Sequence, residues 1–335
     1  MANIRDIAKR AGVSTATVSR TLSAPASVKP ATRARVEAAV RKLDYMPNAV
    51  ASSLRRRRTE NIVVIVPDIH NPFFSGIVQG IEHVAHRHGH KVLLGESQDN
   101  QPRIDKYADM LVRREADGLI LLGARLPTSV ARAVAASEPP RMPIVTACEY
   151  VVGLQAPNVR IDNVAAAAAA TEHLLKLGHR KIATITGPYS NPIVKDRVTG
   201  FRQQMRRASV AVTAAYVVRG DFSLESGYHA MQGLLALEEV PTAVFCANDE
   251  MAMGAIRAAK ESGRRVPQDL SVVGFDDIRF AEYVDPPLTT IRQPQREIGE
   301  TAMRLILDVF EKRSGPSTVV LPHSLIIRGS TQALR

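Results

Sequence analysis

Polar and aromatic side chains follow four short apolar runs in the body of the sequence, each where the run ends. After IVVIVP, VVRG, VFCA and VVGF come, in that order, Asp68, Asp221 with Phe222, Asn248 with Asp249, and Asp276 with Asp277. If the runs are parallel strands, these side chains gather beyond the carboxyl edge of a sheet, where open α/β folds bind ligands. Carboxylates and amides bind hydroxyls, and an aromatic face packs on a ring, so the pattern predicts a cleft for a polyhydroxylated ring. Helix capping by Asp249 or Asp277 is the simpler alternative for those two acids.

A second set of candidate residues lies in IRDIAKRAGVSTATVSRTL, which spans residues 4–22. Residues 4–11 repeat apolar side chains at helical spacing, and Gly12 is suited to end that helix because the position after a helix often has positive φ. Ser14 can cap a second helix with its hydroxyl. The outer face of this second helix would carry small or hydrogen-bonding side chains, namely Thr15, Ala16, Thr17, Ser19 and Arg20.

Two helices this short need a third helix to bury their apolar faces, and residues 32–45 supply one. The resulting three-helix unit suits a helix laid in the major groove of DNA, where Arg20 could bind a guanine edge with two hydrogen bonds. A small bundle with a basic, solvated face is the alternative that this pattern leaves open.

Positive charge is concentrated at the same end of the chain. Residues 1–59 hold 13 Lys and Arg against 3 Asp and Glu, whereas the other 276 residues hold 31 against 30. The net charge is therefore +10 on the first segment and +1 on the rest. This asymmetry fits a nucleic-acid-binding module attached to a near-neutral body.

The body alternates short β-branched runs with amphipathic stretches, which is the pattern of parallel βαβ units. Two such series, divided near Asn158, predict two open parallel sheets. The predicted strands are 62–67, 91–97, 118–124, 143–149, 159–162, 181–187, 216–221, 242–249 and 270–277. The predicted helices are 76–88, 104–116, 128–136, 164–177, 197–208, 224–237 and 250–262.

The linker PNAVASSLRRRRT, residues 47–59, is a short helix candidate that carries four consecutive arginines. Repulsion among these cations predicts that it folds only against an anionic partner such as DNA phosphates. Leu54 is a large apolar residue in this basic segment, and the pattern alone favours its packing against neighbouring protein.

Several segments together resemble the LacI/GalR family of transcriptional repressors. They are residues 4–22, TRARVEAAVRKLDYMPN, VPDIHNPFF, DGLILLGARLP, PTAVFCAND, DPPLTTI and LIIRGSTQAL. The resemblance implies an all-α helix-turn-helix headpiece and an α/β core of two parallel-sheet subdomains, like that of periplasmic sugar-binding proteins.

The same resemblance implies a domain plan. The DNA-binding domain would be residues 1–46, the hinge helix 47–59, and the effector-binding and dimerisation core 60–335. Within the core, the chain would cross between subdomains near Ile161, Ile291 and Pro322. The first subdomain would hold about 60–160 and 293–321, and the second about 162–291 and 323–335.

The family resemblance also implies roles for single residues. Leu54 would enter the minor groove and kink the duplex at the operator centre. Arg197 opens a predicted helix, where a cation is unfavourable unless it has a partner, and this favours a functional role. The implied DNA contacts are Thr15, Ala16, Thr17, Ser19, Arg20, Asn48, Leu54 and Arg55. The implied effector contacts are Phe74, Arg197, Phe222, Asn248 and Asp276.

These expectations describe a homodimeric repressor that binds double-stranded, pseudopalindromic operator DNA and responds to a small-molecule effector. The resemblance favours a nucleoside, and ribose or another sugar stays open. A nucleoside- or sugar-processing enzyme is the alternative from another class, but Asp249 and Asp276 lack an evident acid–base companion. A secreted binding protein is a further alternative, and it leaves the basic head unexplained.

We expect neither a cofactor nor a metal. Cys148 and Cys246 lie in apolar runs without a CxxC neighbour, which predicts reduced core thiols. The histidines at positions 83, 86, 88 and 90 lack the spacing and the acidic ligand of a metal site. The sequence shows no export signal and no apolar run of roughly 20 residues, which favours a cytoplasmic protein without a membrane span.

Overall fold

The structure is a computed structural model that describes residues 2–45, 58–136, 142–151, 153–313 and 317–334. The chain forms two compact units, residues 1–59 and 60–335. The predicted hinge helix and its residues Asn48, Leu54 and Arg55 lie outside the described residues, apart from positions 58 and 59.

The first unit contains α1 (Ile4–Ala11), α2 (Thr15–Ser23) and α3 (Pro30–Lys42). Gly12 ends α1 with a φ of 62°, and the Ser14 hydroxyl accepts the Thr17 N–H at the start of α2, so both predicted helix boundaries are confirmed. The third helix begins two residues before the predicted start, because proline is favoured in the first turn of a helix. A small apolar core joins the three helices through Ile7, Ala8, Ala11, Val18, Val36 and Ala39.

In the second unit, six of the described strands form a sheet in the order β11-β5-β4-β3-β1-β2. All its neighbouring strands are parallel. The strands are β1 (Asn61–Val66), β2 (Lys91–Glu96), β3 (Gly118–Leu121), β4 (Ile144–Ala147), β5 (Asn158–Ile161) and β11 (Thr318–Leu321). The helices between the first four are α4 (Pro72–Arg87), α5 (Gln101–Val112) and α6 (Thr128–Ala135).

The other described sheet has the order β12-β10-β9-β8-β6-β7. Its strands are β6 (Ile182–Thr186), β7 (Val217–Arg219), β8 (Ala243–Cys246), β9 (Ser271–Asp276), β10 (Thr289–Arg292) and β12 (Ser324–Ile326). Its helices are α7 (Asn163–Lys176), α8 (Pro192–Arg207), α9 (Leu224–Leu235) and α10 (Asp249–Glu261). The edge strand β12 pairs with β10 in the antiparallel direction, which the sequence pattern did not predict.

The chain passes between the two sheets after Ile161, after Arg292, and again between Leu321 and Ser324. After the second passage, α11 (Gln295–Phe310) packs against the first sheet. Gly80 on α4 allows the two helices to approach closely, because a Cβ at this position would overlap the Arg296 carbonyl oxygen. The predicted α/β core of two parallel sheets is therefore confirmed.

Candidate functional site

Arg197 is the buried cation at the centre of the candidate site. Its Nε donates to Asn163 Oδ1 at 2.9 Å, and one terminal nitrogen donates to the Ala247 carbonyl. The guanidinium lies 3.7 Å from the ring centroid of Phe275, a favourable cation–π distance. Arg197 is the one Lys or Arg that is buried among the described residues.

Arg197 does not open a helix, so that prediction is wrong. Helix α8 begins at Pro192, with Asn191 as its cap, so Arg197 lies in the second turn, where the helix dipole has little effect. The reason to single out Arg197 is instead its burial beside carboxylates. Burial lowers the pKa of Arg197, and the nearby Asp276 and Glu149 carboxylates oppose that change.

Asp276 ends β9, and only 5% of its surface is exposed. It lies near enough to Arg197 for the two charges to interact. Its Oδ1 accepts a hydrogen bond from Gln293 Nε2 at 2.7 Å, and its carbonyl accepts one from Gln295 Nε2 at 3.1 Å. Burial raises the pKa of Asp276 to about 6, although Arg197 and Gln293 both act to lower it.

The loop that starts at Asp276 is strained. Asp276 and Asp277 have φ angles of 114° and 55°, in the region that L residues rarely adopt. The buried carboxylate of Asp249 accepts the Ile278 N–H at 2.8 Å, and Asp277 forms an ion pair with Arg328 at 2.8 Å. The two acids therefore fasten this loop, and neither is the cap of a helix.

Asn248 and Phe222 lie together beside the Ala247 carbonyl that Arg197 contacts. Asn248 caps α10, since its Oδ1 accepts the Met251 N–H at 3.0 Å, and its Nδ2 donates to the Phe222 carbonyl at 2.8 Å. Phe222 has a φ of 75°, and its ring lies against Gly187, where a Cβ would overlap it. In this structure Asn248 supports the backbone that presents Phe222.

Phe74 lies on α4, 5.2 Å from Phe73 in an edge-to-face contact, and packs against the core of the first sheet. The structure thus brings Arg197 together with Asp276, and Asn248 with Phe222. The contacts described for Phe74 do not join it to either pair.

Glu149 belongs to the same cluster, and it was not among the predicted site residues. Glu149 follows β4, is 7% exposed, and its Oε1 accepts a hydrogen bond from Asn191 Nδ2 at 2.7 Å. Asn158 Nδ2 donates to the Glu149 carbonyl at 2.7 Å, and the preceding Cys148 has a φ of 69°. The signal was present, because Glu149 ends the predicted strand 143–149, but only Cys148 in that strand was considered.

The neighbour of Glu149 makes a second bond to α8. The Tyr150 hydroxyl donates to Asp196 Oδ1 at 3.2 Å, and the Arg160 guanidinium lies 4.8 Å from the Tyr150 ring centroid. Residues 149 and 150 therefore connect the carboxyl edge of the first sheet to the helix that carries Arg197.

Burial governs the acid–base properties of this region. It raises the pKa of Glu149 to about 7, with Asp99 adding to the increase and Asn191 and Arg197 opposing it. It also raises the pKa of the Cys148 thiol well above its usual range. Both cysteines are buried and free, so the prediction of core thiols is confirmed.

The five predicted DNA-contacting residues of α2 differ in their exposure to solvent. Thr15, Ala16 and Arg20 are exposed, whereas Thr17 and Ser19 are half-buried. The Thr17 hydroxyl lies 3.0 Å from the Ser14 hydroxyl, and the Thr17 N–H donates to the same oxygen. Thr17 therefore contributes to the start of α2, and the three exposed residues are the better candidates for base contacts.

A different group of possible metal ligands lies beyond β1 and β2. Ligand atoms of Asp68, His70 and Glu96 lie within 4.8 Å of one another. Asp68 and His70 are exposed, and Glu96 already accepts hydrogen bonds from the Ile69 N–H and from Gln98 Nε2. Solvated loop contacts account for this arrangement. Among the described residues, no helix combines the length and apolarity that crossing a bilayer requires.

The N-terminal unit and the two-sheet core define a DNA-binding regulator with a periplasmic-binding-protein-like core. The sequence matches the profiles "Bacterial regulatory proteins, lacI family" over residues 3–48 and "Periplasmic binding protein-like domain" over residues 171–331. It is 44% identical to the HTH-type transcriptional repressor CytR of Escherichia coli (strain K12), over 99% of this chain and 97% of that protein. It is 37% identical to the HTH-type transcriptional repressor PurR of Klebsiella pneumoniae (strain 342), over 98% and 97%.

Solved structures agree with these relatives. The lac repressor dimer bound to operator and the anti-inducer ONPF matches with a TM-score of 0.87 at 31% identity, over 99% of both chains. A LacI family transcriptional regulator from Enterococcus faecium with bound ribose matches with a TM-score of 0.72 at 31% identity, over 82% of this chain and 100% of that one. The chain therefore belongs to the lacI family of bacterial regulatory proteins and is a DNA-binding transcriptional repressor. Its CytR and PurR relatives are named as repressors, which supports the expectation that it is not an enzyme.

Proposed function

We propose that this repressor binds a pseudopalindromic operator as a homodimer, and that a nucleoside bound between the two sheets of the core changes its affinity for that operator. In this proposal residues 1–46 read the operator, 47–59 form the hinge, and 60–335 bind the effector and dimerise. The observation that carries the effector site is the burial of Arg197 and Asp276, whose opposite charges act on each other, at the carboxyl edge of the second sheet.

Operator reading is assigned to α2. Thr15, Ala16 and Arg20 are exposed on it, and small side chains around one arginine allow close approach to base edges in the major groove. Leu54 and the arginines from 55 onward would add minor-groove and phosphate contacts at the operator centre. Asn48, Thr17 and Ser19 complete the proposed set of contacts.

Dimerisation is assigned to the first sheet and α4. The edge strand β2 exposes Leu94, and Val112 at the end of α5 is 70% exposed. An unpaired edge strand and exposed large apolar side chains are features that an interface covers. The lac repressor that this chain resembles was solved as a dimer bound to operator.

The effector proposal rests on the chemistry of the cleft. A guanidinium and a carboxylate can bind adjacent hydroxyls of a ribose, while Phe222 and Phe74 offer apolar ring faces. The relative named CytR favours a nucleoside. Free ribose is the second candidate, because the E. faecium relative was solved with ribose bound.

The experiment for operator reading selects operators from a random duplex pool with the full chain, and then compares Arg20→Ala with Arg33→Ala. Arg33 is a matched control, because it loses the same charge from α3, where it faces Glu37 at 3.7 Å. Arg20→Ala should reduce the preference for operator over random duplex by about 1–3 kcal/mol, roughly 10- to 100-fold. Arg33→Ala should leave this preference unchanged. Equal loss in both variants, or no selected sequence at all, would overturn the assignment.

A further inference from the structure

One oxygen in the cleft is unsatisfied. Glu149 Oε1 accepts a hydrogen bond from Asn191, but Glu149 Oε2 is buried and has no hydrogen-bond partner within the described residues. The Ala124 backbone N–H acts on the same carboxylate and lowers its pKa, but it makes no hydrogen bond of ordinary geometry to Oε2. A buried acceptor that lacks a donor is destabilising, so its presence in the folded protein needs a reason.

Glu149 is held in place by its own backbone. Asn158 fixes its carbonyl, and the Cys148 N–H donates to the Val159 carbonyl at 2.9 Å. The side chain reaches Asn191 at the start of α8, so it lies at the junction of the two subdomains. A ligand that enters between the sheets meets Arg197 and Asp276 from one subdomain and Glu149 from the other.

The charge of the cleft limits which ligands fit. Acidic groups outnumber cations there, since Glu149 and Asp276 are buried and Glu250 is half-buried near Asp276 and Asp68, whereas Arg197 is the buried cation of the described residues. The charge of Arg197 is already opposed by Asp276 and Glu149. A phosphate group would face more carboxylate than guanidinium, so the site favours an uncharged ligand with hydrogen-bond donors.

We propose that Glu149 is a specificity residue of the effector cleft, whose Oε2 accepts a hydrogen bond from an exocyclic amino group on the base of an unphosphorylated nucleoside. This inference rests on the proposed nucleoside function. With the ribose at Arg197 and Asp276, the base extends towards the first sheet, where Glu149 lies. A keto oxygen in the place of the amino group sets an acceptor against an acceptor, and a site built to receive a donor rejects such an analogue.

The test is calorimetric titration of the full chain with matched pairs of nucleosides that differ in this group, cytidine against uridine and adenosine against inosine. Because burial raises the pKa of Glu149 to about 7, the titrations are run at about pH 8, where the carboxylate is ionised and can only accept. In at least one pair the amino nucleoside should bind roughly 10- to 100-fold more tightly than its keto partner. The 5′-phosphate of the preferred nucleoside should bind more weakly than the nucleoside.

Two variants separate recognition of the amino group from the contacts that residues 149 and 150 make with α8. Glu149→Gln keeps the shape of the side chain but adds an N–H donor, so the preference for the amino partner should shrink to within about threefold. Tyr150→Phe removes the neighbouring bond to Asp196 and should keep the full preference.

The outcomes are distinct. Nucleosides that bind without an amino preference, or a preference that survives in Glu149→Gln, would overturn the role of Glu149 and leave the proposed function intact. Failure of all four nucleosides to bind would overturn the nucleoside function itself, and the role of Glu149 with it.

Discussion

At the scale of single residues, burial decides what each carboxylate of the core does. Asp249 has both oxygens engaged, by the Ile278 N–H and the Thr290 hydroxyl, and serves the loop that carries Asp276. Asp276 has one engaged oxygen and lies beside Arg197. Two aspartates 27 positions apart in the chain therefore differ in their bonding among the described residues: protein groups engage both oxygens of Asp249 but only Oδ1 of Asp276.

Asp276→Asn should weaken effector binding without changing operator binding in the absence of effector. The amide keeps the shape of the side chain but loses the charge that faces Arg197, and a charged hydrogen bond contributes about 1.5–3 kcal/mol, roughly 10- to 100-fold in affinity. Titration of the full chain with effector and with operator measures both. Parallel loss of operator binding would show that Asp276 supports the fold and is not an effector contact.

The raised pKa of Glu149 predicts a pH dependence of stability. Its pKa rises from an ordinary 4.5 to about 7 in the folded state, so the folded protein binds the proton more tightly than the unfolded chain. The groups that face this carboxylate are Asn191 and Arg197, Asp99, and the adjacent Cys148. The stabilisation due to Glu149, about 3 kcal/mol, is therefore complete below about pH 4.5 and is lost as the pH rises through 7.

Chemical denaturation of the wild type and Glu149→Gln across this range checks the sign. The free energy of unfolding of the wild type should fall relative to that of Glu149→Gln between about pH 4.5 and 7. Parallel curves for the two proteins would mean that Glu149 is as well solvated as in the unfolded chain.

At the scale of elements, apolar periodicity predicted nine strands and seven helices of the core, but not β10, β11, β12 or α11. Three helix starts were also placed three to five residues late. Helices α4, α5 and α8 begin at Pro72, Gln101 and Pro192, against predicted starts at 76, 104 and 197. Each of these helices has an asparagine cap followed by proline in the first turn. Apolar spacing does not reveal this start signal, because neither residue belongs to the apolar face of the helix.

The candidate site was predicted only within each subdomain. Asn248 and Asp276 could be placed together because they lie at the ends of strands of one sheet, whereas Arg197 was assigned from the family resemblance. Glu149 belongs to the other sheet, and its contact with Asn191 depends on how two subdomains meet, which no local spacing specifies. The antiparallel β12 was missed for a similar reason, since its direction depends on the third crossing of the chain.

The surroundings of two helical glycines, one in each subdomain, predict opposite effects for their substitution by alanine. A Cβ at Gly80 would overlap the Arg296 carbonyl, so Gly80→Ala must separate α4 from α11 and should destabilise the core by about 1–3 kcal/mol. Gly233 on α9 faces open space, so Gly233→Ala should be neutral or stabilise by about 0.5–1 kcal/mol through helix propensity. Thermal unfolding of both variants tests this, and a neutral Gly80→Ala would contradict the close packing.

At the scale of the whole molecule, charge and ligand chemistry are divided between the two units. The N-terminal 59 residues carry a net charge of +10, and the remaining 276 carry +1. Affinity for DNA phosphates thus comes from the first unit, whereas the buried acids and Arg197 lie in the second. Regulation requires that the ligand changes the free energy of a state that also affects the DNA-binding unit.

Such coupling must be reciprocal, which gives a prediction about the full chain. If saturating effector changes operator affinity by some factor, saturating operator must change effector affinity by the same factor, typically 5- to 150-fold, whether the effector acts as inducer or corepressor. Calorimetry with the preferred nucleoside, with and without operator, and operator titrations with and without nucleoside supply the two factors. Asp276→Asn is the control, because it should need more nucleoside to reach the same limiting factor. A nucleoside that binds the core tightly but leaves both affinities unchanged is a ligand of the cleft and not the effector of this repressor.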